Sequence, residues 1–446
     1  MQKIAAVIGT TGVGKSQLGV ELCKALRGQV INADSMQVYK GLDIISNKMP
    51  AIERQGVPHH LMDFLDPEKE YNVTDFERDA ALCIDKLTSE QQLPVVVGGT
   101  NYYIQSLIWQ NTLSKSESPR RSPSPERYSE FDNVLTSELY AQLCKVDPVM
   151  ANKWNPSDRR KIIRSLKIFH DTGKPQGEII KEQQEQLKRH GLPAKYKSLI
   201  FWLYADPVKL NPRLDERVDK MIETGLFDEI QELRKRVVDG SVRLPGQDLE
   251  KYQRGLWQAI GYKEFDSYFT ALEANNSTSS DLDKIRQECT ERMKAATRRY
   301  AKRQVQWIRN KLLPTVRNSN GDVQVYLLDA TNLDVWDSSV RDKAIEIATA
   351  FQSNDTMPAP VELSEVAASM LSVPPDAQDT HSRVLNWKKY TCPICRTEKG
   401  EEAVLNGEME WQQHLKSRWH RKSTKHQKLV KERLRPLQEG STPSAS

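Results

Sequence analysis

Gly9-Thr10-Thr11-Gly12-Val13-Gly14-Lys15-Ser16 is the stretch from which the fold can be read. It matches the pattern G-x-x-x-x-G-K-[ST] and has both flanks that this pattern needs. The apolar, β-branched run KIAAVIG (3–9) precedes it as a buried strand, and a helical stretch from Ser16 to Leu26 follows. Glycines let the backbone curl so that successive N–H groups point inward at a phosphate, and the helix N-terminus adds partial positive charge. Lys15 supplies a mobile cation, and Ser16 has a hydroxyl able to ligate a Mg2+ ion that bridges phosphate oxygens. Residues Gly9, Thr10, Thr11, Gly12, Val13, Gly14, Lys15 and Ser16 are therefore a candidate diphosphate cradle. The pattern alone does not say which polyphosphate it holds.

Outward from the loop, strand and helix signals alternate to about residue 108. QVINAD (29–34) and PVVVGG (94–99) read as strands, with a helix between them from Thr74 to Gln91. This alternation predicts the α/β class: a P-loop NTPase-like parallel sheet with helices on its faces. SLIFWLYAD (198–206) returns the chain to the sheet and VQVYLLDAT (323–331) supplies a last strand. Residues 1–112 and 195–345 are assigned to this core, and 113–194 to an inserted helical lobe. SPRRSPSPER (118–127) breaks every periodicity and reads as a flexible loop. Residues 346–385, rich in Pro, Ser and Asp from 353 onward, read as a linker. A small Cys/His module is expected over 386–430, and a basic, frayed tail over 431–446.

Composition narrows the class. At 446 residues the chain is too long for one core, and its 38% hydrophobic and 28% charged content is that of a globular protein. No apolar run is long enough to span a membrane, so no membrane partner is expected. The N-terminus reads as a strand and not as a secretory or import leader. A cytoplasmic location is expected, with a nuclear pool also compatible and a mitochondrial one left open. Of the six cysteines, Cys392 and Cys395 form a close pair and the rest are scattered, which fits a reducing compartment with one metal site.

A nucleotide-hydrolysing enzyme would carry an apolar strand ending in Asp to hold magnesium. Here PVVVGG ends without a carboxylate, and Asp206 and Asp329 lie far along the chain. Asp34 instead ends the second strand, facing the same crevice as the loop by the rule for open α/β sheets. In order, the chain then shows GTTGVGKS (9–16), DSMQVYKGLDIISNK (34–48), GVPHH (56–60), GGTNYY (98–103), GLWQAIGYKEF (255–265) and YAKRQVQWIR (300–309). From about residue 4 to 345 these blocks closely resemble the tRNA dimethylallyltransferases, in their eukaryotic form with a C-terminal zinc finger.

That resemblance implies transfer of a dimethylallyl group from dimethylallyl diphosphate to the exocyclic amine of the adenine 3′ of the tRNA anticodon. Asp34 is implied as the base that takes the amine proton, and an ordinary carboxylate pKa is expected to suffice. Thr11 and Thr100 match positions that contact donor or target base, and Arg217 matches an arginine on the diphosphate. Without the resemblance, Arg217 would be read as a helix salt bridge to Asp215 or Asp219. The implied RNA contacts are Asp34, Ser35, Met36, Gln37 and Thr100 around the flipped base, then Arg160, Lys161 and Arg164 on the lobe. Ala259, Ile260, Gly261, Tyr262 and Lys263 follow, with Lys302, Arg303 and Gln304. His59 and His60 read as structural.

Two stretches are basic in their own right. Lys284 to Lys311 holds ten Lys/Arg against two Glu, with Ile285, Cys289, Met293, Ala296 and Tyr300 as a buried stripe, and reads as a phosphate-backbone track. Cys392-x2-Cys395, eighteen residues, then His414-x5-His420 gives a structural Zn2+ set, with His426 as an alternative fourth ligand. Nine Lys/Arg against one Glu follow from His414 to Arg435, a further nucleic-acid footprint or a nuclear signal. Mg2+ and Zn2+, the tRNA anticodon stem-loop and dimethylallyl diphosphate are thus the expected companions of a monomeric enzyme. Two other readings stay open at this point: a P-loop kinase of a small nucleotide, and a zinc-finger RNA-binding protein without catalysis.

Overall fold

The computed structural model describes residues 1–110, 131, 134–190, 192–242, 252, 255–274, 278–319, 321–372, 388–397, 400 and 402–427. The elements run β1 (Lys3–Gly9), α1 (Lys15–Leu26), β2 (Gly28–Asn32), β3 (His59–His60), α2 (Val73–Ser89), β4 (Leu93–Val97) and α3 (Asn101–Ile108). Then come α4 (Thr136–Val146), α5 (Pro148–Ala151), α6 (Arg159–Thr172), α7 (Gln176–His190), β5 (Lys197–Tyr204), α8 (Pro207–Glu223) and α9 (Leu226–Val238). The remainder is α10 (Asp266–Ala274), α11 (Ser279–Trp307), α12 (Leu313–Arg317), β6 (Val323–Asp329), α13 (Asp342–Ser353), α14 (Glu365–Leu371), β7 (Lys389–Arg396) and β8 (Glu402–Asn406).

Six strands form one sheet in the order β3-β2-β4-β1-β5-β6, and every pairing is parallel. Both faces are covered, so these strands are continuous apolar runs and do not alternate with polar residues. Ala5, Val7, Leu199, Phe201 and Leu203 pack on one side with α1 and α13. Ile4, Ala6, Ile8, Ile200 and Trp202 pack on the other with α2 and α3. The expected α/β parallel sheet is what the chain forms. By this topology the loop after β1, Asp34 after β2 and Gly98-Gly99 after β4 emerge side by side at the carboxyl end of the sheet.

A third cluster joins α8, α9, α10 and the N-terminal half of α11 around Val218, Ile230, Phe265, Phe269 and Met293. The chain divides into two compact units, Met1–Leu113 with His190–Ala377 and Ser114–Arg189 with Gln378–Ser446. In the second unit, Leu139, Leu143, Met150 and Ile162 form the lobe core. The finger belongs to the same unit: Lys389 Nζ donates to Tyr140 Oη and Ala151 O, both at 3.1 Å, and Asn155 Nδ2 donates to Val404 O at 3.0 Å.

The linker reading over 346–385 is corrected for its described part. Ala344, Ile347, Ala348 and Phe351 recur at helical spacing and are buried on the sheet as α13. Ala367 of α14 is also fully buried. SPRRSPSPER, residues 373–387 and the tail from 428 onward lie outside the described residues.

Candidate active site and metal cluster

The loop between β1 and α1 has the backbone that its glycines were read to allow. Gly14 lies at φ 86°, and a Cβ there would sit 2.6 Å from the Trp336 ring, so only glycine closes the turn. Trp336 is held in place by its Nε1, which donates to Glu21 at 3.1 Å. Lys15 Nζ donates to Thr10 O at 2.7 Å, folding the cation back over the loop.

Gln304 of α11 ties the loop to the neighbouring strand end. Its Oε1 accepts from Thr11 N at 2.9 Å and its Nε2 donates to Gly99 O at 3.0 Å, and the side chain is buried. A Cβ on Gly99 would lie 2.7 Å from Gln304 Nε2, 3.5 Å from Asp34 Oδ2 and 3.8 Å from Lys15 Nζ. Loop cation, carboxylate and bridging amide therefore surround one small hollow. Gly98 is needed for a different reason, since a Cβ there would run into the backbone of Ala33.

Asp34 is oriented by its neighbours. Its N–H donates to Asn32 Oδ1 at 3.2 Å, and its Oδ1 accepts from Met36 N at 2.9 Å. Thr100 Oγ1 accepts from Ser35 N at 3.0 Å, which fixes the next residue of the turn. Burial pushes the Asp34 carboxyl above its usual range. The N–H groups of Met36 and Gln37 and the charges of Lys15 and Arg217 act in the opposite direction. The direction runs against the ordinary carboxylate that was expected, while Asp34 keeps a solvent-facing edge.

Lys15 is pushed down to about 8, first by burial and then by Arg217, with Asp34 opposing. Arg217 is pushed down to about 10 by burial, again with Asp34 opposing. Arg217 keeps a solvent-facing edge, yet its Nε is enclosed without a hydrogen-bond partner, as is Thr10 Oγ1. Two enclosed polar atoms of this kind are where oxygens of an anion fit. The helix-pair reading of Arg217 is overturned, because its neighbours are engaged elsewhere. Asp215 binds Arg298, and Asp219 binds Lys294 at 2.7 Å.

Those same pairs revise the basic track on α11. Lys294 and Arg298 are neutralised by α8, and Arg292 meets Glu288 at 3.1 Å. Arg299, Lys302, Arg303 and Arg309 remain exposed. Gln304 is no surface residue. Of Ala259 to Lys263, Ala259, Gly261 and Tyr262 are buried, with Tyr262 edge-on to Trp257 at 5.0 Å, so Lys263 and half-buried Ile260 are the side chains of this stretch left accessible. Gln37 Nε2 donates to Ser46 O and Asn47 O at 3.2 Å, which makes it a brace of the turn. Met36 packs against the third cluster.

On the lobe, Arg160 and Arg164 share an exposed face of α6, whereas Lys161 pairs with Asp158 at 2.9 Å and lies over Trp154. Asp206 and Asp329 are taken up by local turns, accepting from Val208 N at 2.8 Å and Thr331 N at 2.9 Å. His59 and His60 form the edge strand, bonded to Val57 O and Gln29 Oε1.

In the second unit, one donor atom from each of Cys392, Cys395, His414 and His420 lies within 4.8 Å of every other. His420 Nδ1 is 3.5 Å from both sulfurs and 3.1 Å from His414 Nε2. Tetrahedral bonds of about 2.3 Å to sulfur and about 2.0 Å to nitrogen place neighbouring donors at roughly these separations. The set therefore fits one metal ion. His426 is exposed and outside the cluster, whereas His420 is part of it.

Comparisons with known proteins agree with this geometry. Residues 37–311 match the family model for IPP transferase. The chain is 40% identical to a tRNA dimethylallyltransferase of Schizosaccharomyces pombe, over 97% of each chain. It is 37% identical to the enzyme of that name from Saccharomyces cerevisiae, over 95% of this chain and 92% of the relative. A solved eukaryotic dimethylallyltransferase acting on tRNA superposes with a TM-score of 0.78 at 35% identity, over 97% of this chain and 98% of the other. The chain belongs to the IPP transferase family, among the tRNA dimethylallyltransferases.

Proposed function

We propose that this enzyme transfers the dimethylallyl group of dimethylallyl diphosphate to the exocyclic amine of a tRNA adenine, the one 3′ of the anticodon. The observation that carries the reading is Asp34 beside Lys15 and Arg217 in one hollow. A P-loop kinase also places an Asp beside its phosphates, so it is the family match that favours transfer to an amine over phosphoryl transfer. A reaction that expels diphosphate from carbon while deprotonating a weakly nucleophilic amine needs both the cations and the carboxylate.

In this reading the loop N–H groups, Lys15, Thr10 and Arg217 bind the diphosphate. Ser16 and the diphosphate oxygens would hold a Mg2+ ion, which supplies further neutralisation of the leaving group. Asp34, steered by Met36 N and Asn32, accepts the amine proton. Thr11 and Thr100 line the junction between donor and base. Lys302 and Arg303, with Arg160 and Arg164, supply phosphate contacts to the anticodon stem-loop. Zn2+ is the metal that two thiolates and two imidazoles at these separations suit. The test is incubation with labelled dimethylallyl diphosphate, Mg2+ and anticodon stem-loop RNA. Label in the RNA is expected, and its absence would sink the reading.

A further inference from the structure

We propose that the aromatic ring of Tyr300 is a wall of the reaction hollow, and that its π-face stabilises the positive charge developing on the dimethylallyl fragment. Tyr300 precedes Gln304 by four residues, so both side chains leave the same face of α11. Gln304 pins that face across Thr11 and Gly99, at the point where Asp34 Oδ2 and Lys15 Nζ converge. Tyr300 is only partly buried, so it borders open space beside that face. Its phenol is held far above its usual range by burial and by the nearby Asp34 charge. Its hydroxyl has no hydrogen-bond partner among the described residues, and the Arg303 guanidinium lies 6.0 Å from the ring centroid. Tyr103, another aromatic near Asp34, is already engaged: its ring stacks on Phe76 at 4.5 Å and its hydroxyl donates to Tyr71 O.

The chemistry needs such a wall. As the C1–O bond breaks, its electron pair leaves with the diphosphate and the allyl fragment becomes cationic. The adenine amine donates its lone pair to C1, and its proton passes to Asp34. Water reaching C1 first would lose a proton and yield 3-methylbut-2-en-1-ol. An aromatic face attracts the cation and carries no lone pair aimed at C1, so it both stabilises the fragment and keeps water away.

The proposal rests on the transfer reaction above, and its test separates the two. Wild type, Tyr300→Phe and Tyr300→Leu are compared with labelled dimethylallyl diphosphate, Mg2+ and anticodon stem-loop RNA, following both modified RNA and released alcohol. Tyr300→Phe is expected to stay near the wild-type rate. Tyr300→Leu is expected to lower kcat about 10- to 30-fold, with KM for RNA unchanged and a larger share of alcohol. If Tyr300→Leu does not fold, Tyr300→Met carries the same comparison. An unchanged rate and alcohol share in the aliphatic variant would overturn the role of the ring. So would a loss confined to KM for RNA, which would mean base stacking, or an equal loss in Tyr300→Phe, which would mean the hydroxyl acts. A wild type that labels no RNA would instead remove the transfer reading itself.

Discussion

Lys15, Asp34 and Arg217 each carry a charge that burial opposes; Asp34 eases both cations and is eased by them, whereas Arg217 works against Lys15. Only the protonated Lys15 attracts a diphosphate, so its charge is present below about 8 and lost as pH rises through that value. On the proposed reading, kcat/KM for the donor falls above about pH 8, and the limb moves upward in Lys15→Arg. Asp34 has the opposite sign. It works as the carboxylate, so kcat rises with pH through a value above the ordinary carboxylate range. Asp34→Asn should lower kcat by about 10²- to 10⁴-fold while calorimetry still detects donor binding. The cradle and the carboxylate were legible from GTTGVGKS and from a strand ending in Asp34. The pKa of Asp34 was not, because neighbours such as Arg217 of α8 and Gln304 of α11 come from far along the chain.

At the scale of elements, α11 combines two tasks that its sequence does not separate. One face carries Cys289, Met293 and Ala296 into the third cluster, and Gln304 extends the buried side as a polar residue. That continuation was the available signal: a polar side chain on a buried stripe needs a buried partner. Replacing Gln304 by Leu leaves Thr11 N–H and Gly99 O unpaired, with an expected cost of about 1–3 kcal/mol in urea denaturation. Unchanged stability would show that water or another group takes over the bridge. The pairing of Lys294 and Arg298 with α8 was invisible for a related reason. Charge counting along one helix cannot see acids on the helix packed against it.

For the molecule as a whole, the sheet and the finger pattern were readable because each depends on local periodicity or spacing. The partnership of finger and lobe depends on single residues far apart in the chain, Lys389 with Tyr140 and Asn155 with Val404. Metal analysis of protein purified without chelator should find about one Zn2+ per chain. His420→Ala should lose it and His426→Ala should keep it; the reverse result would contradict the cluster geometry.

The Gln304 amide has one more consequence, which is thermodynamic. A single planar group is shared between the donor cradle and the helix whose same turn exposes Lys302 and Arg303. A diphosphate that draws on the Thr11 N–H must perturb that group, and RNA that shifts α11 must perturb it too. Occupancy of either side then changes the affinity of the other by the same factor. Inorganic diphosphate should therefore alter the Kd for the anticodon stem-loop. In Gln304→Met, with the amide gone, the two ligands should bind as strangers.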